Sequence, residues 1–113
     1  MNDCIFCKIA RREIPIDAVM ESDRGLVFPD LSPKAPVHLL VIPKEHYPDL
    51  DAASADESLL GHLLGLAASA ARERGLHPGG YRIVANTGLD AGQSVPHLHF
   101  HVLGGRVMGW PPG

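Results

Sequence analysis

The stretch Ser94-Val95-Pro96-His97-Leu98-His99-Phe100-His101-Val102-Leu103 constrains this chain more than any other, because three of its seven histidines fall there at alternating positions. On a β-strand successive side chains point to opposite faces. His97, His99 and His101 then share one face, while Leu98, Phe100 and Val102 share the other. Same-face neighbours lie roughly 6.5–7 Å apart, so the outer imidazoles can reach toward a phosphate or a metal ion held near the middle one. A half-exposed histidine strand with no chemistry has the same local pattern. Partners elsewhere in the chain decide between the two.

With 113 residues the chain is expected to form one domain over 1–113, large enough to bury a real core. A net charge of −3 offers no polyanion-binding surface, so nucleic acid is not expected as a partner. No basic segment followed by an apolar core opens the chain, and the longest apolar helical run, Leu59 to Ala71, is interrupted by His62. A cytoplasmic protein with no membrane partner is the expectation.

Ile5, Phe6 and Ile9 place a short helix over Cys4–Arg12, ending before Ile14-Pro15. Val19–Glu21 and Leu26–Pro29 read as two antiparallel strands around a Ser22-Asp23-Arg24-Gly25 turn. Pro33 and Pro36 make residues 30–36 a connector, Val37–Ile42 reads as a buried strand stopped by Pro43, and a helical turn is expected over Lys44–Tyr47. Ser54 or Asp56 caps a long helix reaching about Arg74, with Leu59, Leu63, Leu66 and Ala70 on its core stripe. Tyr81–Asn86 alternates as a strand and joins the histidine strand through a tight loop, Thr87–Gln93, as a hairpin. Clustered antiparallel strands with segregated helices predict an α+β fold.

Cys4 and Cys7 are the only cysteines, and on one helical turn their spacing favours a shared metal or a redox pair over a loop-stapling disulfide. Nothing upstream can form the strand that a redox motif would normally follow. The Asn86 strand, the Gly92-Gln93-Ser94 turn and the histidine strand bring an amide, backbone N–H groups and a hydroxyl beside His99. Such donors suit a phosphoryl group whose oxygens gain charge in the transition state. No Walker-type loop or carboxylate pair is present to hold magnesium, and a neutral imidazole can serve as nucleophile without a metal-generated hydroxide.

The segment HLHFHVL at 97–103 resembles the signature of the histidine-triad (HIT) superfamily, His-φ-His-φ-His-φ-φ with φ apolar. The similarity is strongest to its histidine-triad nucleotide-binding branch, whose members hydrolyse purine nucleoside phosphoramidates. It extends over CIFCKI at 4–9, EIP at 13–15, FPDLSPKAPVHLLVIPKEH at 28–46, ESLLGHL at 57–63, YRIVANTG at 81–88, AGQS at 91–94 and GGRVMGWPPG at 104–113. The resemblance implies a five-stranded antiparallel sheet with one long helix and a short N-terminal helix, joined into a ten-stranded sheet across a homodimer.

It further implies that His99 is the nucleophile that forms a nucleotidyl-histidine intermediate, and that His101 contacts the phosphate and helps protonate the leaving amine. Asn86, Gly92, Gln93 and Ser94 match phosphate and leaving-group contacts, and His38 a supporting active-site histidine. Asp30 matches the carboxylate on the ribose hydroxyls, whose two donors satisfy its two oxygens. Ile5, Phe6, Ile9, Phe28, Leu31 and Leu40 match the purine pocket. Pro29 and Leu31 depart from a histidine and an isoleucine familiar in eukaryotic relatives. Trp110 is implied to reach the partner's active site. Cys4, Cys7, His46 and His97 match a structural zinc set found in some superfamily members, and no catalytic cofactor is implied. Residues without a proposed role are His62, expected on a helix surface, and His77, expected in a turn.

Two other functions fit less of the chain. Hydrolysis of dinucleoside polyphosphates is opposed by the Trp-Pro-Pro tail, and a non-catalytic nucleotide-binding module has no need of the intact set Asn86, Ser94, His97, His99 and His101.

Overall fold

The computed structural model describes residues 3–113. Its elements, in chain order, are α1 (Ile5–Ala10), β1 (Met20–Glu21), β2 (Gly25–Pro29), β3 (Val37–Pro43), α2 (Leu50–Ala53), α3 (Glu57–Glu73), β4 (Tyr81–Val84) and β5 (Phe100–Gly104). The strands form one antiparallel sheet in the order β1-β2-β3-β5-β4. The α+β fold with its long helix and short N-terminal helix is thus observed.

β2 and β3 are apolar and buried along almost their whole length, since both faces of the sheet are covered. Val27, Leu39, Val41, Phe100 and Val102 face α3, where Leu59, Leu63, Leu66 and Ala70 complete the main core. The alternate residues Leu26, Phe28, Leu40 and Ile42 face the other way and pack with Phe6 and Ile9 of α1. Gly25 marks the closest approach of α3, for a Cβ there would come within 2.8 Å of Leu66 Cδ2. Asp56 caps α3 by accepting from Leu59 N–H and also receives Arg24 from the β1–β2 turn, which ties the hairpin to the helix start.

Three expectations are corrected. The helical turn lies at Leu50–Ala53 rather than Lys44–Tyr47, because Asp49 past Pro48 supplies the N-cap, its carboxylate accepting Ala52 N–H at 2.8 Å. β4 stops at Val84, leaving Asn86 beyond the ladder, and 15 residues, Ala85–His99, join it to β5 instead of a tight loop. The histidine segment pairs as a strand only from Phe100, so His101 alone of the three sits in the ladder. Pro96 has no N–H to give a ladder, and the N–H groups of His97 and Leu98 bond the carbonyls of Val95 and Tyr47 instead. Among the described residues no helix is long and apolar enough to cross a membrane.

Candidate functional site

The unladdered segment before β5 is held by Gln93. Its Nε2 donates to the carbonyls of Pro48 (2.7 Å) and Val95 (3.0 Å), and its Oε1 accepts Gly88 N–H at 2.9 Å. The amide expected to contact the nucleotide is therefore engaged in shaping the loop. Gly92 at φ 76° supports the same turn.

In the shape so produced, His99 Nδ1 lies 2.7 Å from the carbonyl of His97 and donates to it. A neutral imidazole with its proton on Nδ1 keeps its lone pair on Nε2. The ring is buried, with Phe6 edge-on at 5.1 Å and His101 at 5.0 Å between centroids.

His101 is placed by register, opposite Leu40 on β3 and Val84 on β4, and so shares the sheet face that carries His38, Leu40 and Phe6. Its protonation follows from a chain of hydrogen bonds. Lys34 N–H donates to His38 Nδ1 at 3.0 Å, so the His38 proton sits on Nε2 and is donated to His101 Nδ1 at 2.9 Å. The neutral His101 then carries its proton on Nε2. Burial, with His99 and His38 adding, pushes its pKa down to about 4, and burial likewise lowers that of His38 against the opposing pull of Asp30. Asp30, His38 and His101 lie close enough to suggest a metal set, but with its Nδ1 accepting from a backbone N–H, His38 has no lone pair on Nε2 to offer. His38 and His101 form a hydrogen-bonded pair, with Asp30 Oδ2 3.4 Å from His38 Nε2.

A cleft of about 240 Å³ opens between α1 and the sheet. It is lined by Ile5, Phe6, Ile9, Phe28, Asp30, Leu31, Leu40, Ser94, His99 and His101, all singled out from the sequence, and by Val95, which was not. Asp30 also serves the following turn, its Oδ1 accepting Ser32 N–H at 2.8 Å. Trp110 stands apart from this cleft at 80% exposure, against Arg82, whose guanidinium carbon is 5.9 Å from the indole centroid and which bonds the Gly109 carbonyl.

Behind His99 a second group converges. His97 Nδ1 is 3.2 Å from Cys4 Sγ, 3.5 Å from Cys7 Sγ and 3.1 Å from His46 Nδ1, with Cys7 Sγ to His46 Nδ1 at 3.3 Å. Tetrahedral zinc with thiolate and imidazole ligands sets ligand atoms roughly 3.3–3.8 Å apart, so these four residues could hold such an ion with little movement. The His97 ring is wholly buried, its Nε2–H donates to the Pro43 carbonyl at 2.9 Å, and its Nδ1 is thereby the lone-pair nitrogen. Burial pushes the His97 pKa down to about 4, which keeps the ring neutral as a ligand must be.

Residues 11–108 match the sequence model of the HIT domain. The chain belongs to the HIT family. An uncharacterized HIT-like protein of Synechococcus elongatus is 54% identical over 113 residues, covering 99% of this chain and 98% of that one. The crystal structure of a HIT family hydrolase from Legionella pneumophila superposes with a TM-score of 0.94 at 46% identity, covering 98% of this chain and 100% of that one. A histidine triad nucleotide-binding protein from Candida albicans superposes with a TM-score of 0.82 at 34% identity, over 96% and 83% of the two chains. The HIT match begins after Cys4 and Cys7, so the four-ligand cluster rests on the geometry just described.

Sequence reasoning about this HIT chain missed the groups that set proton positions: the carbonyls of His97 and Pro43 and the N–H of Lys34. Backbone groups carry no residue signature. Val95 could have been found as the apolar neighbour of Ser94.

Proposed function

We propose that this HIT protein, as a member of the histidine-triad nucleotide-binding branch, hydrolyses purine nucleoside 5′-phosphoramidates through a nucleotidyl-histidine intermediate. One observation carries the reading: the Nδ1–H bond of His99 to the His97 carbonyl turns an unprotonated Nε2 toward a cleft that also presents Asp30, Ser94, His101 and an apolar wall. The purine lies against Phe6, Ile9, Phe28 and Leu40, and the ribose hydroxyls donate to Asp30. His99 Nε2 attacks phosphorus, forming one P–N bond as the bond to the leaving amine breaks. The positive charge gained by the ring is stabilised by the His97 carbonyl. His101 Nε2–H and the Ser94 hydroxyl face the phosphoryl group, and His101 helps protonate the departing amine by orienting a solvent water that donates the proton, its own ring staying neutral. Water then attacks the same phosphorus and loses one proton to solvent, which balances the proton taken up by the amine, as the P–N bond to His99 breaks, the mononucleotide leaves and neutral His99 is restored. His38 keeps His101 in the tautomer this requires.

Cys4, Cys7, His46 and His97 would hold a structural zinc, which supplies crosslinking of α1 to the loop rather than any reacting group. We further propose a homodimer joined along β4, with the tail carrying Trp110 serving the partner's site. The names of the similar proteins from Legionella and Candida, a hydrolase and a nucleotide-binding protein, support the reading.

Substituting His99→Asn or His99→Gly is expected to abolish AMP release from adenosine 5′-phosphoramidate together with trapping of a nucleotidyl-enzyme. Full turnover in either variant overturns the mechanism. Faster wild-type turnover of a dinucleoside polyphosphate than of the phosphoramidate would favour the polyphosphate hydrolase.

A further inference from the structure

A second cleft, of about 360 Å³, continues from the first. The two share Ile5, Ile9, Phe28 and Leu31, and the second runs on past Ile14 and Ile16 to Asp17. Every other residue of its lining is apolar, so Asp17 is the one side chain there able to make a directional polar contact. The cations nearest in sequence are already used: Arg11 pairs with Glu13 and Arg12 with Glu21. Asp17 has no ion-pair or hydrogen-bond partner among the described residues, and it is exposed.

The inference rests on the nucleotide reading of the first cleft. A purine whose ribose is at Asp30 and whose rings lie along the shared wall points its far edge, the one opposite the glycosidic bond, into the second cleft. A carboxylate there only accepts hydrogen bonds. Guanine presents two adjacent donors on that edge, N1–H and the N2 amino group, which match the two oxygens of a carboxylate side by side. Adenine presents one donor beside the acceptor N1, whose lone pair would face a carboxylate oxygen.

We propose that Asp17 reads the far edge of the purine and makes this chain prefer guanine over adenine nucleotides. A paired charge-assisted contact of this kind at an exposed site is expected to give a preference of about tenfold.

The test is calorimetric titration of the full chain with GMP and with AMP, for the wild type, Asp17→Asn and Asp17→Ala, with thermal melts to confirm folding. Tighter GMP binding by about tenfold in the wild type, reduced to within about twofold in Asp17→Ala with little change for AMP, supports the assignment. Asp17→Asn, which keeps one acceptor, is expected between the two. Equal wild-type affinities, or a GMP preference that survives Asp17→Ala, overturns the assignment while leaving the nucleotide cleft standing. Failure of the folded wild type to bind either nucleotide overturns the reading of the first cleft and this inference with it.

Discussion

His101 and His38 form a hydrogen-bonded pair of neutral rings tilted at 45° and 5.1 Å between centroids, His38 buried and His101 half-buried, and neither gains a proton easily. With the His101 pKa pushed from its ordinary 6.5 to about 4, the unfolded chain binds more protons than the folded one between those values. Stability from this group is therefore fully present above about pH 6.5 and is lost as pH falls toward about 4. Thermal melts across that window are expected to show a falling midpoint, with a shallower slope in His101→Asn than in the wild type. An unchanged slope in the variant would refute the assignment. For His99 the deciding atom is the His97 carbonyl; the histidine spacing put both rings in place, yet gave no sign of which nitrogen holds the proton, because a backbone oxygen made that choice.

α1 has only six residues, and a helix so short does not persist alone in water. Its N-cap is itself a candidate ligand, with the Cys4 thiol accepting Cys7 N–H at 3.4 Å, and its Phe6 ring touches both His97 and His99. The element that walls the cleft is thus the one that the four-ligand cluster would clamp. Wild-type protein purified without chelators is expected to carry close to one zinc per chain, and Cys7→Ser far less. Losing the clamp should cost about 1–2 kcal/mol, or roughly 5–10 °C in melting midpoint, with faster amide exchange confined to α1 and the loop before β5. Substoichiometric zinc in the wild type, or identical exchange in the variant, would dismiss the cluster as a metal centre. The Cys-x-x-Cys spacing by itself left metal and redox pair both open; His46 and His97, 39 and 90 residues from Cys7, complete a set that could hold a metal only once β3 and the loop bring them together.

At the scale of the whole molecule, β4 pairs only with β5 among the described residues, which leaves one edge of the sheet for the proposed second copy, with the exposed Trp110 tail held to β4 by Arg82. Sedimentation is expected to give a two-chain mass. Mixing His99→Asn chains with Trp110→Ala chains and letting them exchange should raise activity above that of Trp110→Ala alone, because each mixed dimer holds one intact nucleophile served by one intact tail. No rise on mixing would place the tail on its own chain's site. Resemblance to the HIT superfamily named the side chains that line the cleft, and the sequence by itself determined the α+β architecture, the buried run of β3 and the core stripe of α3. Each depends on residue type and local spacing, which a chain carries along its length. Only the tertiary structure decided the protonated nitrogens, the engagement of Gln93 by three backbone partners, the short pairing of the histidine segment and the continuation of the cleft to Asp17. Those depend on backbone carbonyls, N–H groups and walls contributed by segments far apart in the chain, and such groups acquire a position only when the sheet has closed.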